Sequence, residues 1–226
     1  MADEMPIPAA GTAEATTFEE LVVRARRLAT AGSRRILGIV GTPGSGKSTV
    51  SAMLAEALGM DAVLVPMDGF HLASRELARL GKLARKGAPD TFDVDGYVAL
   101  LGRVAAQSGA DIYSPVFDRA LEESLGSAVP VSSSTPLVIT EGNYLLCEHH
   151  GWAGVRPLLD EAWFVEVDSV VRRDRLLRRR LSFGHPYDEA IAWVKNVDEK
   201  NALLVEATQA RANLIVRVDS DATRGI

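Results

Sequence analysis

The stretch Gly41-Thr42-Pro43-Gly44-Ser45-Gly46-Lys47-Ser48-Thr49 constrains this chain more than any other feature. Two glycines enclose four residues and are followed by Lys and Ser, the Walker A pattern. The stretch stands between an apolar run, Ile36 to Val40, and a segment of helical character, Ser48 to Leu58. A phosphate chain needs several main-chain N–H donors pointing inward at short range, and glycines permit both that backbone shape and the close approach that a Cβ would block. The order strand, loop, helix therefore predicts an anion nest closed by a helix N-terminus, whose partial positive charge favours phosphates. Gly41 to Thr49 would cradle ATP, with Lys47 reaching the β and γ oxygens and the Ser48 hydroxyl ligating Mg2+. Switch proteins, motor ATPases and kinases share this loop, so it does not say what the nucleotide is used for.

The rest of the chain supplies a frame for the loop. Apolar runs at Ala62 to Met67, Leu137 to Thr140, Trp163 to Val167 and Leu214 to Val218 read as further strands, with helical segments between most of them. That alternation predicts an α/β, three-layer P-loop fold with a mainly parallel sheet, helices on both faces and a helical lid. Phe18 to Ala31 has the apolar spacing of an amphipathic entry helix, with Glu19 and Glu20 early and Arg26 and Arg27 late, as the helix dipole favours. Residues 1–16 show no period and read as a flexible leader; residues 17–226 read as one domain, and Ser132 to Pro136 as a surface loop. At 226 residues and 47% hydrophobic side chains, a single large core is attainable.

Charge and cysteine use narrow the setting. A net charge of −5 argues against a general nucleic-acid binder, so any phosphate site must be built locally. Cys147 has no second cysteine to pair with, which suits a buried thiol in a reducing, cytoplasmic compartment. No apolar run reaches the length of a membrane span, and a homodimer is the base-rate assembly for a soluble chain.

Asp68 follows the second apolar run and begins Asp68-Gly69-Phe70-His71. In open α/β sheets ligands bind outside the carboxyl ends of the strands, so Asp68 should face the same crevice as the phosphate loop. Phosphoryl transfer to an alcohol needs a carboxylate that orients the hydroxyl and accepts its proton, and Asp68 is the candidate base. Its alternative role is an N-cap for the Leu72 to Arg79 segment. His71 either hydrogen-bonds substrate or is a structural histidine.

Taken together, the Walker A stretch, Met67 to His71, Lys86-Gly87-Ala88-Pro89-Asp90-Thr91-Phe92-Asp93 and Thr140-Glu141-Gly142-Asn143-Tyr144-Leu145-Leu146 resemble the uridine kinase, phosphoribulokinase and bacterial pantothenate kinase superfamily. The likeness runs from about Ile36 to Val218 and is nearest to sugar or fructose-transport kinases. It implies a base at Asp68 and a Mg2+ or substrate role for Glu141, whose alternative is a surface acid at a strand end. Uridine kinases carry a ribose-binding Asp two residues before the proline of this element, whereas this chain has Gly87, which counts against uridine. Tyr113 to Arg119 resembles the segment lining the acceptor pocket, so Arg119 either contacts substrate or sits on a solvated strand edge. The ending around Val197 to Asn201 resembles pantothenate kinase and makes Asn201 an acceptor contact.

Arg172, Arg173, Arg175, Arg178, Arg179 and Arg180 crowd a helical stretch with Leu176, Leu177 and Leu181. A charge run is usually a solvated face, but here an anionic ligand can supply the counter-charge. The superfamily's lid helix has a matching pattern at Asp174, Arg175, Leu176, Arg178 and Arg179, which places the lid around residues 172–190. Arg178 is the expected phosphate contact and Arg175 the expected substrate-side contact. In the helical segment Tyr187 to Val205, Ile191, Val194, Val197 and Leu204 are the expected core positions, and Trp193 is read as packing. The combined reading is an ATP-dependent kinase acting on a hydroxyl of a sugar, pantothenate-like or nucleoside acceptor. A nucleotide-dependent switch or binding protein and a nucleoside monophosphate kinase are its alternatives.

Overall fold

The structure, a computed structural model, describes residues 17–217, so the expectations for the leader and the tail fall outside the described residues. Helix α1 (Phe18–Ala29) begins with a capping box in which the Thr17 hydroxyl accepts from the Glu20 amide and the Glu20 carboxylate accepts from the Thr17 amide. Strands β1 (Arg35–Gly41), β2 (Ala62–Pro66), β5 (Leu137–Gly142), β6 (Glu161–Val165) and β7 (Leu214–Val216) form one parallel sheet in the order β2-β5-β1-β6-β7. Five of the expected strands are present. Strand β6 starts two residues earlier than its apolar run, and β5 continues through Glu141 and Gly142.

Alternation along β1 explains why the sheet is covered on both sides. Leu37 and Ile39 pack with α1 and with α2 (Lys47–Leu58), while Ile36 and Val40 enter the larger core beneath α4 (Val94–Ala105). Strand β5 is buried along its whole length. Of its two buried polar side chains, Thr140 donates to the Val65 carbonyl at 2.6 Å and lies 2.5 Å from the Tyr97 hydroxyl, which satisfies both hydroxyls. Trp152, Tyr144, Phe92 and Tyr97 form an aromatic cluster on the α4 side, and the Trp152 indole donates to the Pro89 carbonyl at 3.0 Å.

One element departs from the alternation of strands and helices. Between α4 and β5 the chain makes an antiparallel hairpin of β3 (Ile112–Asp118) and β4 (Glu123–Val131), and neither was among the expected strands. Most of β4 is polar or small and largely exposed, so its apolar signal is weak and its hairpin partner supplies the pairing. The hairpin packs on the short turn Met67–Phe70 through Gly69, where a Cβ would stand 2.7 Å from the Pro115 carbonyl carbon.

The segment after β6 is the one expected to form the lid. Asp168 caps α5 (Ser169–Ser182) by accepting from the Val170 amide at 2.8 Å and the Val171 amide at 3.3 Å. The expected single helix over Tyr187 to Val205 is α6 (Tyr187–Trp193) and α7 (Glu199–Glu206), joined by a π-helical turn, Val194–Asp198. That turn shifts the face that follows, so Leu204 is exposed while Ala202 and Val205 are buried; before it, Val194 is buried and Ile191 is exposed on α6. The expectation of Ile191 and Leu204 as core residues is corrected accordingly. Among the described residues, no helix is long and apolar enough to cross a membrane.

Candidate active site

A cleft of 530 Å3 opens at the carboxyl ends of β1, β2 and β5, and Pro43, Lys47 and Ser48 of the phosphate loop line one end of it. The loop turns through Gly44 at φ +80° and Gly46 at φ +96° into the N-terminus of α2. A Cβ at Gly44 would meet Leu176 Cγ at 2.9 Å and the Arg172 carbonyl at 3.1 Å, so only glycine lets the lid helix α5 lie directly on the loop. Thr42 and Ser45 are buried, and Ser45 Oγ has no hydrogen-bond partner. Gly41 closes β1 and Thr49 lies in the first turn of α2.

Two carboxylates and one ammonium meet behind the loop. Glu141 is 6% exposed, and burial raises its pKa, opposed by the charge of Lys47 and reinforced by that of Asp68. The nearby Ser48 side chain pulls the same pKa down. Burial lowers the Lys47 pKa, with Glu141 and then Asp68 opposing. Glu141 is thus a buried acid within β5, near enough to Lys47 for their charges to act on each other, and not a surface acid beyond the strand end.

Asp68 lines the cleft just past the end of β2, with Arg119 Nη2 3.6 Å from its Oδ2. Helix α3 (Ser74–Arg79) takes Ala73 as its N-cap residue, so Asp68 is free of the capping role. His71 is wedged between Phe92 and Phe117, with ring centroids at 4.1 and 4.7 Å. Its Nδ1 lies 2.8 Å from the Asp68 carbonyl; a carbonyl can only accept, so Nδ1 carries the proton and Nε2 remains an acceptor. Burial lowers the His71 pKa despite the pull of Asp68, which keeps the ring neutral at neutral pH. Arg119 reaches the cleft from the hairpin turn after β3, a side of the site that no motif in the phosphate loop specifies.

The lid arginines are sorted by helix geometry. Arg178 points to solvent, its side chain 78% exposed and paired with Asp174 one turn earlier at 2.9 Å, so the structure does not bring it to the cleft. Arg179 and Arg180, one and two positions on, line it. Arg175 leans on the phosphate loop, with Nη1 3.4 Å from the Ser45 carbonyl, which places it on the nucleotide side rather than the acceptor side. Arg172 is 2% exposed and pairs with Glu199 at 2.8 Å, tying α5 to α7. A run of arginines in sequence cannot show which of them a 100° step per residue turns inward.

The far wall comes from scattered elements. Asn201 lines the cleft and donates from Nδ2 to the Gly87 carbonyl at 3.3 Å. Lys86 sits 5.1 Å over the Phe117 ring and donates to Ser74 Oγ at 2.9 Å. The Arg180 guanidinium stacks 4.2 Å over Trp193, which makes Trp193 part of the wall. Asn143 and Asp198 also line the cleft. Sequence reading assigned no site role to Arg179, Arg180, Lys86, Asn143 or Asp198; the first four stood within quoted motifs or the arginine run, and Asp198 within the Val197 to Asn201 ending.

Comparison with known proteins bears on the family and the fold. A family model described as the phosphoribulokinase/uridine kinase family matches residues 36–223. A Schizosaccharomyces pombe protein described as a candidate uridine kinase is 32% identical over 215 residues, covering 90% of this chain and 92% of that protein. The uncharacterized protein YggC of Escherichia coli is 31% identical over 193 residues, covering 83% of this chain and 79% of its own length. Among solved structures, a Silicibacter protein described as a candidate fructose transport system kinase superposes with a TM-score of 0.80 at 36% identity, covering 88% of this chain and 98% of that one. YFH7 of Saccharomyces cerevisiae shares the fold, with a TM-score of 0.76 at 18% identity, over 89% of this chain and 98% of that one. These matches select a kinase over a nucleotide-dependent switch. The chain is therefore an ATP-dependent phosphotransferase of the P-loop kinase superfamily and belongs to the phosphoribulokinase/uridine kinase family.

Proposed function

We propose that this protein moves the γ-phosphoryl group of ATP onto a hydroxyl of a small metabolite, with Asp68 as the general base. The observation that supports this reading is the meeting of Asp68 with Lys47 and Ser48 in one cleft, although nineteen residues lie between Ser48 and Asp68 in sequence. Asp68 orients the acceptor hydroxyl and takes its proton as the oxygen–phosphorus bond forms and the bond from the γ-phosphorus to its bridging oxygen breaks. Main-chain amides of the loop hold the β- and γ-phosphate oxygens, and Lys47 neutralises charge on them. Arg179 faces the same space and takes the phosphate role first expected of Arg178.

Mg2+ fits the residues present. It prefers oxygen ligands, few of them from protein, and the Ser48 hydroxyl with the nearby Glu141 carboxylate is such a donor set. Those two residues would hold the ion, which when bound offsets charge on the β- and γ-phosphate oxygens. His71 Nε2, Arg119 and Asn201 line the acceptor side, and the two relatives described for uridine and fructose carry hydroxyl-bearing acceptors in their names.

Asp68→Asn tests this directly. Phosphotransfer, read as acceptor-dependent ADP release, should fall about 10²–10⁴-fold, with ATP affinity kept within about threefold. Retained turnover in that variant would reject Asp68 as the base.

A further inference from the structure

Asp198 is a charge that the mechanism above leaves unused. It is 8% exposed and lines the acceptor side of the cleft. Although α7 starts directly after it, its side chain makes no capping hydrogen bond. Among the described residues, no lysine or arginine closes an ion pair on it; the neighbouring Arg172 and Arg173 pair with Glu199 instead. Burial raises its pKa, with Arg179, Arg180 and Arg172 pulling the other way. A carboxylate kept in such a place without a donor is costly unless a ligand supplies one.

Its neighbours ask for the same kind of ligand. The π-helical turn ends at Asp198 and leaves it one turn before Asn201, so both side chains reach the cleft. Asn143 also lines the cleft, and its buried Oδ1 has no hydrogen-bond donor. Two acceptor groups without a donor from the protein therefore belong to residues that line one cavity. The positive charges of Arg172, Arg179 and Arg180 around Asp198 disfavour an ammonium ligand, which leaves neutral hydroxyls. A carboxylate presents two oxygens side by side and can accept from two adjacent hydroxyls at once.

We propose that Asp198, assisted by Asn143 and Asn201, binds a vicinal diol of the acceptor, so the acceptor is a polyol whose phosphorylated hydroxyl is not part of that diol. The proposal rests on the phosphotransfer reading above and adds the class of acceptor to it.

The test is a phosphorylation panel with ATP and the full-length protein. D-ribose, D-fructose and uridine carry a vicinal diol beyond a primary hydroxyl; 2′-deoxyuridine, 1,3-propanediol and pantothenate do not. Turnover should be confined to the first group. Asp198→Asn should raise the KM of the accepted polyol about 10- to 100-fold and leave the KM for ATP within twofold. Turnover of acceptors without a vicinal diol, or an unchanged polyol KM in Asp198→Asn, overturns the diol site and leaves the kinase reading standing. A panel blank for every acceptor, with ATP still bound, rejects both. Selectivity of the unaltered protein decides the matter even if the variant does not fold.

Discussion

At the phosphate end of the cleft the binding groups come from consecutive residues, Gly41 to Thr49, held between a buried strand and a helix. At the acceptor end Asp68, Arg119, Asn143 and Asp198 arrive from the ends of β2, β3 and β5 and from the π-helical turn before α7. The first region works mainly through backbone amides, whose positions follow from local conformation. The second works through side chains whose positions follow from how separate elements pack. One end can therefore be shared by many kinases, while the other can change its acceptor through substitutions in any of several elements.

The lid joins the two ends and offers the largest way to test the contrast. Replacing Arg179 with Met should lower kcat about 10²–10³-fold, whereas Arg178→Met should stay within about twofold. Steady-state assays on the two variants decide between them, and a larger loss at Arg178 would mean that the opposite face of α5 serves the nucleotide.

A smaller effect is expected where the lid is fastened to α7. Glu199→Ala leaves the buried Arg172 guanidinium without its 2.8 Å partner and should cost about 3 kcal/mol. For a domain of this size that is a fall of about 6–12 °C in the thermal midpoint, measurable by calorimetry. An unchanged midpoint would show that the acceptor wall does not depend on this fastening.

The smallest effect lies in the loop beneath the acceptor wall. The Arg85 hydrogen bond holds the Asp90 carboxyl at a pKa of about 2, below its ordinary 3.8, with burial opposing and Lys82 assisting. A depressed folded pKa contributes stability above the unfolded value and loses it as pH falls through the folded one. Unfolding free energy should therefore drop between about pH 4 and pH 2, by less than about 1 kcal/mol because the pair is solvent-screened. Asp90→Asn should remove that part of the slope in denaturant titrations; a slope that persists unchanged would assign it to other carboxylates.

The phosphate loop, the parallel sheet and Asp68 at a strand end were legible because each is a local pattern: a glycine spacing, an apolar run, an acid after that run. Strand β4 was not, since its polar residues form a strand only against β3. Nor could sequence spacing choose among six arginines, because turning Arg179 inward and Arg178 outward depends on how α5 sits on Gly44. The π-helical turn likewise redirected the face after residue 193, exposing Leu204 and bringing Asp198 to the cleft. What the residues determine alone is the site for a triphosphate, because main-chain geometry over nine positions is a near-neighbour property. What only tertiary packing decided is which side chains meet the acceptor, because their meeting depends on contacts between segments far apart in the chain.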